Sequence, residues 1–276
     1  MVQNIGECRI RIGVSGTEKV MRGLVLSAVI VFCTGFVLAG HTSAADGQAV
    51  GVNPDAVARL SGSDRTLVVG ADISLGEQIV TGQSGQVQII FSDQTRLVVG
   101  PSSALVLEDY LFNGRTADKL AINALAGSFR FISGNSPKSA YSIKTPTASI
   151  AVRGTKFDFN VSRPRTDLML YEGAVRLCSI SGQCQELIAR CALGTVDASA
   201  AVLIDHNAPE HPPMSETFRY ARFQTPLLSA FRVNGAGKCA QPAEESGVPD
   251  GLSPTTGGGN PSGGNQTTGR PTVLRN

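Results

Sequence analysis

The stretch that decides the fold reads Thr145-Pro-Thr-Ala-Ser-Ile-Ala-Val-Arg-Gly-Thr-Lys-Phe-Asp-Phe-Asn-Val161. Apolar residues alternate at both of its ends, as they do in β-strands. Ile150 and Val152 have even numbers, whereas Phe157 and Phe159 have odd numbers. Because neighbouring side chains of an extended chain point to opposite faces, the buried face must change within the stretch.

The change of face has to be absorbed at Arg153-Gly154-Thr155, the segment between the two alternating patterns. Glycine suits such a bend, since it adopts backbone conformations that a Cβ forbids. We therefore predict a strand, a bend at Gly154 and a second strand whose buried face has switched. Thr145-Pro146 opens the first strand, and proline is tolerated as the first residue of a strand.

This stretch also resembles a known motif. Thr-Pro-x-Ala followed by Val-Arg-Gly-Thr-x-Phe is similar to the core of FecR-type domains, which are bacterial periplasmic β domains best known from regulators of ferric-siderophore uptake. The family usually has glycine where this chain has Ala151. The segments Leu125–Arg130 and Tyr171–Leu177 resemble further elements of the family, and the whole resemblance extends over roughly residues 70–196. The motif residues that serve either the fold or a partner are Thr145, Pro146, Val152, Arg153, Gly154, Thr155, Phe157, Glu172 and Gly173.

The chain has 276 residues, of which 42% are apolar and 31 are glycine. This composition fits one good-sized core built from short strands that are joined by many turns. The net charge of +2 lies entirely within residues 1–45, so the rest of the chain is neutral. A neutral body without a basic stripe argues against nucleic acid as a partner.

The N-terminus has the pattern of an export signal. An apolar run at residues 24–40 follows Lys19 and Arg22, and small residues follow it up to Ala45. We predict that residues 21–45 are a cleaved signal peptide, that residues 1–20 are a mis-assigned extension, and that the protein is periplasmic without a stable membrane span. The alternative is a membrane anchor formed by residues 24–40.

Short strands every eight to twelve residues, separated by turns that contain glycine, predict an all-β domain at residues 46–197. The resemblance implies short, stacked, twisted sheets of solenoid-like character, whereas the pattern alone equally allows a β-sandwich or jelly roll. For the hairpin at residues 86–100, a three-residue loop at residues 93–95 would oppose Phe91 to Leu97. Gln94 replaces the glycine that the family favours in this turn, which predicts a turn without an easy positive φ.

The β pattern fades from Ala198, and residues 198–239 read as a helical and loop extension with one or two short helices between Ser215 and Ala230. A patch of apolar residues should pack it on the β domain: Phe218, Tyr220, Phe223, Leu227 and Phe231. Residues 240–276 are rich in Gly, Pro, Ser, Thr and Asn, a composition typical of a disordered tail.

Four cysteines remain after the signal, an even number that suggests two disulfides in an exported chain. Cys178 and Cys184 flank a hairpin loop, and opposing them also opposes Val175 to Leu187. We therefore predict the pairs Cys178–Cys184 and, by remainder, Cys191–Cys239. A metal site is the rival interpretation, but the chain has no Cys-x-x-Cys pair among these four.

The sequence contains no catalytic constellation, no cofactor fingerprint and no standard metal-ligand set. His41 lies in the signal, and His206 and His211 with Asp205 and Glu210 read as solvated loop residues. Arg153 has two interpretations, a partner contact or a structural donor that binds freed carbonyls or Glu172; the structural one is favoured because a bulge leaves backbone groups unpaired.

The function that this pattern favours is a stand-alone, non-catalytic, exported sensing or binding module. The resemblance implies a link to envelope or iron-uptake signalling, with a protein or a cell-envelope glycan as partner. The alternative is a structural or adhesive protein of the cell envelope, and an enzyme is not expected.

Overall fold

The computed structural model describes residues 46–205 and 208–240. The predicted extension, signal peptide, His41, His206 and nearly all of the predicted tail therefore lie outside the described residues. Within the described residues, no helix has both the length and the apolar character that a membrane crossing requires.

The described chain is dominated by fifteen β-strands that belong to one hydrogen-bonded sheet. Every strand pair is antiparallel except β9 with β10, as far as the described residues show. The strands are β1 (Gly47–Asn53), β2 (Ala56–Leu60), β3 (Ser63–Thr66), β4 (Asp72–Ile73), β5 (Gln78–Thr81), β6 (Gln86–Phe91), β7 (Arg96–Val99), β8 (Ala104–Phe112), β9 (Ala117–Ile132), β10 (Tyr141–Lys144), β11 (Ala148–Ser162), β12 (Arg165–Ser179), β13 (Cys184–Leu187), β14 (Leu193–Val196) and β15 (Ala201–Ile204).

The sheet forms two layers, and three long strands, β9, β11 and β12, pass from one layer into the other. The first half of β9 pairs with β8 and β10, whereas its second half pairs with β7 and β11. Likewise, residues 175–178 of β12 pair with β13, and residues 166–169 pair with β14. The first layer thus contains β2, β3, β5, β8, β10 and β13, and the second contains β1, β4, β6, β7, β14 and β15. The all-β class and the stacked sheets predicted from the sequence are confirmed.

Each long strand changes its buried face where it passes between layers. In β11 the buried residues switch from Ile150 and Val152 to Phe157 and Phe159, and the register with β12 shifts between Arg153 and Lys156. Gly154 has a φ of +68° at this point. The predicted bend is therefore confirmed. Similar changes, which the sequence analysis did not identify, occur in β9 near Gly127 and in β12 at Gly173, both with positive φ.

Both layers bury their inner faces in one core. The first layer contributes Ile122 and Ile150, and the second contributes Leu97 and Phe159, all at most 1% exposed. The rings of Phe129 and Phe159 lie 4.9 Å apart across neighbouring strands. Because the inner faces are joined through the three bends, the bends fix how the layers meet.

The hairpin of β6 and β7 differs from the prediction by a shift of two residues. Ile89 opposes Leu97, so the predicted pairing of Phe91 with Leu97 is wrong, although apolar residues still face each other. The loop consists of residues 92–94. The side chain of Asp93 fixes it, because its Oδ1 accepts a hydrogen bond of 3.0 Å from the amide of Thr95. Gln94 adopts a φ of +69° despite its Cβ, which corrects the expected turn without positive φ.

Thr145 and Pro146 were expected to open a strand. They lie instead in the turn between β10 and β11. Thr145 Oγ1 accepts the amide of Ala148 at 2.9 Å and lies 2.8 Å from Thr166 Oγ1. A side-chain oxygen that accepts hydrogen bonds from the backbone amides of the next few residues favours a turn over continued strand pairing. This hydroxyl therefore closes the hairpin.

The C-terminal extension forms a cap on the outer face of the second layer. It contains two helices, α1 (His211–Ser215) and α2 (Arg219–Arg222), and the 3-10 turns Ser229–Phe231 and Ala236–Ala240. The β pattern continues further than predicted, because β15 pairs with β14 beyond the expected boundary at residue 197. Four of the five predicted contact residues are buried, whereas Phe223 is 50% exposed.

Both predicted disulfides are confirmed. Cys178 bonds Cys184, and Val175 opposes Leu187 in the same hairpin. The second disulfide joins Cys191 to Cys239, which is buried among cap and sheet residues. It therefore fastens the end of the cap to the β domain, as expected.

Candidate functional site

The bends of β11 and β12 lie side by side and form a small pocket. Arg153 opposes Ala174 before the bend, and Lys156 opposes Glu172 after it. The pocket has a volume of about 170 Å³. It is lined by Ser133, Gly154, Thr155, Lys156 and Glu172.

Four of the nine predicted motif residues are buried, and the other five are exposed. Val152 and Phe157 are 2% and 0% exposed, and both belong to the core. Thr145 and Pro146 shape the turn before β11, away from the pocket. The structure thus brings together Gly154, Thr155, Glu172 and Gly173 at the bend, with Arg153 directly before them.

Arg153 does not take the structural role that was favoured from the sequence. Its side chain is exposed and makes no hydrogen bond or ion pair with any residue that the structure describes. Glu172 instead pairs with Lys156, whose Nζ lies 2.6 Å from Glu172 Oε2. The shift in register explains the difference, because it places Lys156 opposite Glu172 and leaves Arg153 opposite Ala174.

Thr155 is the buried polar residue of the pocket, with 1% of its surface exposed. Its amide donates to Ser133 Oγ at 2.9 Å, and its carbonyl accepts the amide of Ser133 at 3.0 Å. Its Oγ1 has no hydrogen-bond partner among residues 46–205 and 208–240. Buried hydroxyls are usually paired, so this one marks a place where an acceptor is missing.

The charges around the bend are unbalanced in favour of cations. Lys138 is exposed, and its Cε lies 3.9 Å from the position that a Cβ on Gly154 would occupy. With Arg153, which directly precedes Gly154, and Lys156, it gives three basic residues at the bend against one acidic residue, Glu172, in the pocket lining. The corner therefore attracts negative groups.

A second polar cluster, which the sequence analysis did not identify, lies beneath the cap. Arg130 is fully buried and binds Asp158 through two hydrogen bonds of 2.6 and 2.9 Å. The same guanidinium donates to Gln224 and to the carbonyl oxygens of Tyr220 and Phe231 in the cap. Arg130 thus links the sheet to the cap.

Burial controls the titration of this second cluster. Desolvation raises the pKa of Tyr171 well above its ordinary value, and the nearby charge of Asp158 raises it further. Burial likewise raises the pKa of Tyr220. Burial disfavours the charge of Arg130, but Asp158 outweighs this effect and the pKa is raised. The cluster is therefore a fixed ion pair surrounded by neutral phenols.

The residues weighed as metal ligands are not assembled into a site in the described part of the chain. No group of three or more His, Cys, Asp or Glu side chains there could hold a metal ion. His211 is buried rather than solvated, contrary to expectation, and its Nε2 lies 3.2 Å from the carbonyl oxygen of Cys191. It therefore helps to seat α1 on the β domain.

A larger groove of about 310 Å³ lies away from the motif, between β13 and β15. Aliphatic side chains such as Leu187, Ile188 and Leu203 form much of its wall. Arg190 at its rim donates to the carbonyl oxygen of Asn234 at 2.8 Å. None of the motif residues lines this groove, so the candidate site is the pocket at the bend.

Comparison with known proteins gives one family. Residues 77–176 match the FecR protein family, which confirms the FecR-type resemblance. Two crystal structures of a proposed anti-sigma factor from Parabacteroides distasonis ATCC 8503 are similar, each with 13% identity and a TM-score of 0.38. Each similarity covers 51% of this chain and 64% or 63% of the other, so this chain spans less than two thirds of their length. No curated protein matches the sequence.

Proposed function

Because the chain carries a FecR domain at residues 77–176, we propose that the protein is a non-catalytic sensing or binding module exported to the bacterial periplasm. Its partner is a protein or a cell-envelope glycan, and its role belongs to envelope or iron-uptake signalling. The FecR domain is the observation that carries this proposal.

Two structural features support it. Arg153, within the family motif, extends an uncommitted guanidinium from the corner of the domain, and arginine readily binds carboxylate and phosphate groups. The two disulfides fit an oxidising compartment, where such bonds persist. Neither feature requires a reaction at the site, and both suit recognition at a rigid surface.

The test compares a deletion strain complemented with the wild type, with Arg153→Ala, or with Arg176→Ala. Arg176 is also exposed but opposes Ala151, two residues further from the bend than Arg153, so it is the matched control. We expect the wild type and Arg176→Ala to restore both the transcriptional response of the strain and a stoichiometric complex in the envelope. Arg153→Ala should restore neither, although it accumulates normally.

A different result would point to the structural alternative. If deletion leaves transcription unchanged and the protein co-sediments with peptidoglycan regardless of Arg153, the sensing role is wrong. The chain would then be a structural or adhesive component of the envelope.

A further inference from the structure

We propose that the pocket at the bend binds one oxyanion, a carboxylate or a phosphate group, on the ligand or partner of this protein. The inference rests on the proposed binding function and names the chemistry that the pocket recognises. It depends on the positive charge around the pocket, on an unpaired hydroxyl and on the size of the pocket.

The charge around the pocket favours an anion. Lys138 and Arg153 form no ion pair with any described residue, and both are exposed beside Gly154. Lys156 is held by Glu172, which is the one acidic residue among those that line the pocket. Two cations therefore remain without a counter-charge, and an oxyanion would supply it.

Two residues that line the pocket, Ser133 and Thr155, have hydroxyl groups available as donors to the same anion. Thr155 Oγ1 is buried and lacks a partner among the described residues. Ser133 Oγ accepts the amide of Thr155, and no described acceptor receives its own hydroxyl hydrogen. An oxyanion in the pocket would accept hydrogen bonds from both. Leaving a buried hydroxyl unpaired is unfavourable, so the arrangement is better explained by a ligand than by packing.

The dimensions limit the ligand to a single group. A volume of about 170 Å³ is below the range of roughly 300–1,000 Å³ that is common for whole small-molecule sites. A Cβ on Gly154 would meet nothing closer than Lys138 Cε at 3.9 Å, so the backbone of this residue is open to a ligand. The pocket therefore receives the charged group while the rest of the ligand lies outside.

The experiment titrates the full chain, with both disulfides intact, with inorganic phosphate and separately with acetate. NMR follows the amide shifts of Gly154, Thr155 and Gly173. We expect saturable shifts whose dissociation constant rises with added NaCl, because screening weakens exposed charge pairs. Saturation by phosphate alone identifies a phosphate-bearing ligand, and saturation by acetate alone identifies a carboxylate.

Three variants define the contacts. Arg153→Ala and Thr155→Val should each weaken binding about fivefold or more, since each removes a donor to a charged acceptor. Arg176→Ala, which removes a similar charge opposite Ala151 and further from the bend, should leave binding unchanged. Arg153 is exposed, so its variant also tests the site if Thr155→Val were to disturb the fold.

Absence of saturable shifts with either anion would overturn the inference, as would equal weakening by Arg176→Ala. In that case, a complex in the envelope that still depends on Arg153 would leave the proposed function intact. Conversely, anion binding without any such complex would support the site and contradict the proposed function.

Discussion

The carbonyl oxygen of Gly154 lies where a side chain on Gly173 would begin. A Cβ built on Gly173 would be 2.0 Å from that oxygen, a separation that real structures do not show. Gly173 also has a φ of +86°. The bends of β11 and β12 therefore pack backbone against backbone, and the corner that carries the candidate site requires this glycine.

We expect Gly173→Ala to lower the free energy of unfolding by about 3 kcal/mol or more, because a strained φ and a backbone clash add together. Gly154→Ala should cost only about 1–2 kcal/mol, since only its φ of +68° opposes the change. Urea unfolding of both variants measures the difference. Equal losses would show that the close approach of the two strands is not rigid.

The buried pair of Arg130 and Asp158 gives a second prediction. Asp158→Ala should cost about 3–5 kcal/mol, because it leaves a buried guanidinium without its counter-charge. The double variant Arg130→Met/Asp158→Leu should recover much of this loss, since it removes both charges. A double-mutant cycle in urea measures the coupling. Lys156→Ala, at the exposed pair with Glu172, is the control and should cost less than about 1 kcal/mol.

The two disulfides should differ in their effect on stability. Cys191 and Cys239 are 48 residues apart, whereas Cys178 and Cys184 are 6 apart. Loop-closure entropy then predicts a loss of about 4 kcal/mol for Cys191→Ser/Cys239→Ser and about 2 kcal/mol for Cys178→Ser/Cys184→Ser. Urea unfolding tests the order. A larger loss from the short loop would contradict the view that the long one fastens the cap.

The buried phenols predict that the protein loses stability in alkali. The pKa of Tyr171 and that of Tyr220 are raised by burial, while an unfolded tyrosine ionises near pH 10. Above pH 10 the unfolded state therefore releases protons that the folded state keeps, so stability falls as pH rises. Each such tyrosine contributes about 1.4 kcal/mol per pH unit.

Thermal unfolding between neutral and strongly alkaline pH measures this effect. The midpoint should be insensitive to tyrosine ionisation below about pH 9 and fall above pH 10. Tyr171→Phe should make the alkaline fall shallower, although it also removes the hydrogen bond of 2.7 Å to Asp158. An unchanged slope in this variant would show that Tyr171 ionises in the folded protein as it does when unfolded.

The sequence predicted those features that depend on alternation alone. Parity located the bend at Gly154 and the pairing of Cys178 with Cys184, because a one-residue shift exchanges the faces of a strand. The bend at Gly173 could not be located in this way, because residues 168–171 are all apolar and show no alternation. Both faces of this segment are buried, one in the core between the layers and the other beneath the cap.

Other features depend on contacts that alternation does not specify. Parity cannot distinguish two hairpin registers that differ by two residues, and the hydrogen bonds of Asp93 select between them. The burial of Arg130 depends on Tyr220 and Phe231, which lie at least 90 residues further along the chain. The free guanidinium of Arg153 depends on how the bulge sets the register of β11 against β12.

The turn at Gln94 provides a final prediction. Gln94 replaces the glycine that the family favours in this turn, and its backbone conformation is strained. Gln94 is exposed and has a φ of +69°, a conformation that costs a residue with a Cβ about 1–2 kcal/mol. Glycine removes this cost but gains freedom in the unfolded chain, which offsets roughly 0.5–1 kcal/mol. We therefore expect Gln94→Gly to stabilise the protein by about 0.5–1 kcal/mol. Gln94→Ala keeps the strained φ and should give no gain, so a thermal midpoint for Gln94→Gly no higher than that of Gln94→Ala would show that the turn stores no strain.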